Sequence, residues 1–293
     1  MKIQSLSVVV PNKRCVNNCA FCVSKMHCDQ YENQMDDNLP FFDLYLKDYI
    51  RRLEFARDNG CNTLMLTGNS EPQQNRKFLT YFGMMMQLMQ FPFRWVEMQT
   101  TGVLLDQPYL RFLRNHVGVN VISLSVSSLN DTMNRAIIRP PKSTLPDLEW
   151  LCREIKRYDF TLRLSLNLNS EFTQFDILTQ DLFRRCKDLG ADQVTLRVLY
   201  SSGKDTPQDK WIAANGMPAR SVDKLKEYVT TNGRVLSVLP HGAVRYSLHG
   251  MSVVIDSDCM DTAEKTDEDY KYLVLQPNCK LYSLWDDPAS LIF

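Results

Sequence analysis

Residues 161 to 168 read Thr161-Leu162-Arg163-Leu164-Ser165-Leu166-Asn167-Leu168. Strict alternation over eight positions predicts a β-strand with leucines on one face and Arg163, Ser165 and Asn167 on the other. Three other runs are written the same way: 94–100 with Glu97 and Gln99, 121–127 with Ser123, Ser125 and Ser127, and 193–199 with Thr195 and Arg197. Strand-like runs at 3–10 and 61–67 bring the number to six. Between them lie helical patterns at about 41–59, 76–90, 106–116, 144–158 and 176–189, and another follows at 221–232. Gly60 and Gly190 stand where helix-terminating glycines belong, and Asp106 and Asp176 where N-caps belong.

The strand-helix order predicts a parallel α/β fold, a partial (β/α)6 TIM-type barrel over residues 1–233. On such a barrel the apolar strand face meets the helices and the other face points into the lumen. A lumen this polar leaves groups unsatisfied, at about 1 to 3 kcal/mol each, unless water or a polar ligand fills it. The alternative is an antiparallel sheet with one wet face, disfavoured because helices intervene between nearly all strands. From 234 to 293 the pattern changes to short strands at 234–239, 243–248, 251–255, 272–276 and 280–284, broken by the acidic stretch Asp256–Asp269. These predict a β-rich C-terminal cap packed on the barrel.

The 293 residues are 44% hydrophobic and 23% charged, with 34 Lys+Arg against 34 Asp+Glu, which excludes disordered and fibrous classes. Zero net charge also makes nucleic acid an unlikely partner. No stretch approaches the ~18 apolar residues of a membrane span, and Leu6–Val10 is too short for a signal-peptide core, so a cytoplasmic location is expected.

Nine cysteines in a chain of this size point to metal or catalysis rather than to disulfides. Three of them, Cys15-x3-Cys19-x2-Cys22, follow the first strand directly, where barrel enzymes place their chemistry. Three thiolates on one loop suit an iron-sulfur cluster; zinc, with His27 or Cys28 as a fourth ligand, stays open as an alternative.

The spacing and its place in the chain resemble the radical S-adenosylmethionine (SAM) superfamily, including the aromatic Phe21 before the third cysteine. The resemblance implies that Cys15, Cys19 and Cys22 bind three irons of a 4Fe-4S cluster and SAM chelates the fourth. It also implies reductive cleavage of SAM to methionine and a 5′-deoxyadenosyl radical that abstracts hydrogen from a substrate. Gly68-Asn69-Ser70-Glu71-Pro72 is similar to the family's Gly-Gly-Glu-Pro segment, with Asn69 and Ser70 in place of glycines. By that likeness Gly68, Ser70 and the Glu71 carboxylate receive the SAM ammonium.

Within the superfamily, Gln99-Thr100-Thr101-Gly102 and Ser123 to Leu129 resemble segments of the GTP-cyclising enzyme of molybdenum-cofactor biosynthesis and of viperin-like relatives. This makes Thr100 and Ser125 SAM-side candidates and gives Arg163 the SAM carboxylate or ribose. Asn167 and Arg197, on the same polar face, complete the cofactor-side set. The tail departs from the cyclase pattern, because it has only Cys259 and Cys279 for a second cluster.

Gly68 to Asn75 and Asn130 to Arg135 also resemble RNA adenine methyltransferases, but Cys279 is a poor match to their methyl-carrying cysteine. A non-catalytic iron-sulfur or zinc protein is the remaining alternative. The implied partners are a small or medium substrate and an electron donor such as flavodoxin or ferredoxin, with no membrane; the residue that acts on the substrate is not readable. Met84, Met85, Met86 and Met89 read as adaptable core packing. His241, Arg245, Tyr246 and His249 are candidates for the substrate opening.

Overall fold

A computed structural model describes residues 2–27, 42–142, 144–175, 179–239, 243–256, 269–285 and 287–293. The strands are β1 (Lys2–Ile3), β2 (Leu6–Val9), β3 (Thr63–Thr67), β4 (Trp95–Thr100), β5 (Val121–Val126), β6 (Thr161–Leu168) and β7 (Gln193–Val198). They continue with β8 (Arg234–Val238), β9 (Val244–Leu248), β10 (Met251–Asp256), β11 (Asp269–Tyr270), β12 (Leu273–Leu275) and β13 (Leu281–Tyr282). One eleven-stranded sheet has the order β13-β12-β2-β3-β4-β5-β6-β7-β10-β9-β8, and it is open at both ends, a partial barrel. All neighbours from β12 to β10 pair in parallel, and the outermost pairs are antiparallel.

The C-terminal strands pack on the barrel by pairing with it. They extend the barrel sheet itself, β12 pairing with β2 on one edge and β10 with β7 on the other, so the sheet runs across the expected boundary at 233. Residues 234–293 carry strand-forming sequence and the two edges offer unpaired backbone groups; pairing satisfies both.

Register places Gln99 beside Ser123, Ser123 beside Arg163, Ser165 beside Thr195 and Asn167 beside Arg197, all on the lumen face. Their neighbours in sequence, such as Leu124, Leu162, Leu164, Leu166 and Leu196, are fully buried in the layer between sheet and helices. The alternation in the sequence thus has the physical origin expected of it, and each such leucine contributes about 1.5 to 3 kcal/mol of burial.

Helices Leu46–Asp58, Arg76–Leu88, Gln107–Phe112, Leu148–Arg157, Thr179–Asp188 and Ala219–Asn232 fall on the expected patterns. Asp106 accepts from Tyr109 N at 2.8 Å as an N-cap, whereas Asp176 lies outside the described residues. Gly83 lets Arg76–Leu88 approach the π-helical segment Leu113–Val117 closely, since a Cβ there would lie 2.0 Å from the His116 carbonyl oxygen. Helices Asp131–Ile138 and Pro207–Asn215 were not anticipated, and both touch the cysteine loop. Among the described residues no helix is long and apolar enough to cross a membrane.

Candidate functional site: the cysteine loop and the barrel mouth

The loop after β2 is stitched to its surroundings by its own backbone. Asn18 N and Ala20 N donate to Arg139 O and Ile137 O at 3.2 and 3.0 Å, tying the loop to the end of Asp131–Ile138. On the other side Val16 N donates to Gln74 Oε1 at 2.8 Å, and Gln74 Nε2 donates to Arg14 O at 3.0 Å. Phe21 packs against Trp211 with ring centroids 6.0 Å apart, so helix Pro207–Asn215 covers the loop from outside. Held this way, Cys15, Cys19 and Cys22 are half-buried free thiols on the wall of one cavity of about 220 Å³.

Burial raises the thiol pKa of Cys15 and, further, that of Cys19, and the Cys22 and Glu71 charges raise both. Three thiolates beside a carboxylate in so dry a place require a strongly cationic group to ionise together, which is what an iron-sulfur centre supplies. Among the described residues no three His, Cys, Asp or Glu side chains are grouped closely enough to hold a single metal ion as they stand. Of the suggested fourth ligands, His27 is buried against Tyr200 with ring centroids 5.9 Å apart, and Cys28 lies outside the described residues.

The same cavity is lined by Gly68, Ser70, Glu71, Thr100, Ser125, Asn167 and Arg197 along with Phe21. Gly68 has φ +150° and a side chain there would meet Val9 at 3.2 Å, so the chain turns at the end of β3 on backbone alone. Ser70 Oγ is buried without a hydrogen-bond partner, an acceptor and donor left available to a ligand.

Three candidates are also engaged by other residues of the chain. The Glu71 carboxylate accepts bonds within the chain: Asn17 Nδ2 donates at 2.9 Å, Gln73 Nε2 at 3.0 Å, Thr100 Oγ1 at 2.6 Å, and Thr101 Oγ1 and N at 2.7 and 3.1 Å. Burial nevertheless pushes its pKa up, against these bonds. Glu71 thus joins cysteine loop, β3 turn and β4 turn while standing on the cavity wall.

Thr100 is engaged likewise, donating to Glu71 and accepting from Gln73 Nε2 at 2.7 Å and Gly102 N at 2.9 Å. Arg163 does not line this cavity. Its Nη1 pairs with the buried Glu97 deeper in the lumen, and its Nε donates to Gln193 Oε1 at 2.8 Å, because a carboxylate in the barrel floor needs a cation nearer than the mouth.

Cys279, considered for methyl transfer, is buried in the hydrophobic core, where desolvation pushes its thiol to about 12. Cys259 and His241 lie outside the described residues. Arg245 and His249 are exposed, and neither they nor Tyr246 line the cavity. Missed in the sequence were Asn17, which ties the cysteine loop to Glu71, and the cavity-lining Leu199 and Tyr200, which no motif announced.

Residues 9–168 match the model of the Radical SAM superfamily. That is more than half of the 293 residues, and the chain belongs to this superfamily, whose cofactors are a 4Fe-4S cluster and SAM. No match to a curated protein was found. The fold is similar to native anSMEcpe with bound AdoMet, at TM-score 0.61 and 12% identity over 98% of this chain and 77% of that one.

It is also similar to coproporphyrinogen III oxidase (HemN) from Escherichia coli, a radical SAM enzyme, at TM-score 0.52 and 15% identity over 80% of this chain. A radical SAM methyltransferase from Sphaerobacter thermophilus gives TM-score 0.55 and 15% identity over 87% of this chain and 66% of that one. The chain spans 54% of the Escherichia coli enzyme and 59% of anSMEcpe in its complex with AdoMet and the Cp18Cys peptide. Identities this low speak for a shared fold.

Proposed function

We propose that this protein binds one 4Fe-4S cluster through Cys15, Cys19 and Cys22 and SAM in the adjoining cavity, and starts radical chemistry on a small or medium substrate. The observation that carries the reading is that the three thiols and the polar ends of β3 to β7 line a single cavity. When bound, cluster and SAM supply one-electron reductive cleavage of a carbon-sulfur bond.

The chain's own part is to hold and exclude. Gly68 and Ser70 offer backbone and a free hydroxyl at the cavity wall, and Ser125, Asn167 and Arg197 line its lumen side. Glu71 and Thr100, on the same wall, fix the cysteine loop, and Phe21 packs on Trp211 over it. To this reading belong a reductant for the cluster, proposed as a flavodoxin or ferredoxin, and a cytoplasmic setting. The segments 99–102 and 123–129 favour kinship with the molybdenum-cofactor cyclase and viperin-like enzymes.

Anaerobic incubation of cluster-loaded protein with dithionite and SAM tests the reading. Slow release of 5′-deoxyadenosine and methionine without substrate is expected. S-adenosylhomocysteine as the main product would point to methyl transfer, and no SAM turnover would remove the enzymatic reading.

A further inference from the structure

A second chamber of about 310 Å³ opens off the first and shares with it a wall of Val23, Ser24, Thr67, Gly68, Gln99 and Arg197. Its volume equals that of about ten waters, which suits a small molecule and no macromolecule. Ser7 and Met65 contribute from the lumen face of β2 and β3. The far side is built by Asp256, Lys271, Tyr272 and Trp285, from the end of β10, the residues leading into β12 and the turn after β13. All four lie outside the residues 9–168 matched by the superfamily model.

Among the described residues the charges on this wall do not cancel. Arg197 and Lys271 face one carboxylate, Asp256, whose Oδ2 stands 3.6 Å from Arg197 Nε, too far for a hydrogen bond. Arg197 Nε is buried without a hydrogen-bond partner, and Lys271 makes no ion pair among the described residues. Among the described residues only the backbone of Lys271 is engaged, its carbonyl accepting from Ser5 Oγ at 3.1 Å. The other lumen cation, Arg163, is neutralised by Glu97. A half-buried cation such as Lys271, with no ion pair among the described residues, is costly, and an anion held by Lys271 and by the unbonded Arg197 Nε removes that cost through charge-assisted hydrogen bonds.

We propose that this chamber takes the substrate, and that the substrate is a small organic anion whose carboxylate or phosphate is held by Lys271 and Arg197, with its body against Trp285 and the Thr67–Gln99 wall. The inference rests on the proposed function for the word substrate, because the shared wall puts the bound molecule beside the SAM cavity. The recognition of an anion rests on the chamber alone.

The test is anaerobic calorimetric titration of cluster-loaded protein, with and without SAM, using citrate, inorganic pyrophosphate and glucose as probes. At least one of the two anions is expected to bind saturably at one per chain, while glucose does not; which of them binds tells carboxylate from phosphate. Lys271→Gln is expected to weaken that binding about tenfold or more, as loss of a charge-assisted hydrogen bond does. Lys271→Arg should restore it, and SAM affinity should be unchanged in both variants, since Lys271 does not line the first cavity. Binding of neither anion, equal affinity in Lys271→Gln, or glucose binding as well as the anions would overturn the inference. Absence of SAM binding to the unsubstituted protein would instead sink the proposed function, while the anion titration alone still decides whether the chamber recognises an anion.

Discussion

Arg163 and Glu97 show what a polar lumen costs and how this one is balanced. Glu97 keeps 1% of its side chain exposed and Arg163 27%, and their pairing replaces water that neither can reach in full. Removing only the cation strands a buried carboxylate, so Arg163→Leu is expected to lower stability by about 3 kcal/mol, the low end for such a break given the residual exposure. The double variant Arg163→Leu, Glu97→Leu should regain most of that in urea denaturation. SAM affinity in folded Arg163→Leu should match the unsubstituted protein, and a clear loss there would return Arg163 to the cofactor.

At this scale the sequence was readable where a residue's type alone decides, as with the three cysteines and Gly68. Glu71 and Thr100 do line the cavity, but the bonds that tie them to Asn17, Gln73 and Thr101 could not be read from the sequence. Such three-dimensional competition for lone pairs leaves no trace in spacing.

Among the elements, the strands were legible almost to the residue because a two-residue period with leucine on one face has no competing reading. The two unanticipated helices had weaker signals. Asp131–Ile138 is only eight residues long, and its entry is marked by Asn130, which caps Met133 N at 3.1 Å. Pro207–Asn215 was announced by Thr206-Pro207-x-Asp209, a capping box with proline at the first helical position.

Asp209 does more than cap. Ser201 Oγ, Ser202 N and Oγ, and Thr206 N and Oγ1 all donate to it at 2.6 to 3.0 Å, folding the loop that leads from β7 to the helix covering Phe21. Burial opposes its ionisation, but the hydrogen bonds outweigh burial and hold the carboxyl well below the usual range. A carboxyl with a depressed folded-state pKa stabilises fully above its unfolded value of about 3.9, and that contribution is lost as pH falls toward the folded value. Asp209→Asn should therefore cost about 2 kcal/mol at pH 7, the worth of a charge-assisted hydrogen bond. The gap between variant and unsubstituted protein should hold down to about pH 5 and narrow below pH 4. Urea midpoints of the two proteins across that range check this, and a gap independent of pH would contradict it.

For the whole molecule, the sequence reading and the structure part at the C-terminal strands. Their existence was legible, because turn residues and β-branched runs mark them, but their destination was not, since edge pairing depends on which backbone groups the rest of the sheet leaves open. Residues 1–233 alone would expose β2, whose four residues are all buried, and β7. A chain ending at 233 is accordingly expected to aggregate, as exposed apolar edges do. A soluble, monomeric 1–233 fragment with a sharp melting transition would show instead that the barrel stands without these strands.

The account's central claim is that the loop after β2 holds the cluster, and iron content tests it most directly. Protein reconstituted anaerobically with iron and sulfide should carry about four irons per chain, and the Cys15→Ala, Cys19→Ala, Cys22→Ala triple variant close to none. Full iron retention in the triple variant would contradict the claim, and about eight irons in the unsubstituted protein would mean that a second cluster exists elsewhere in the chain.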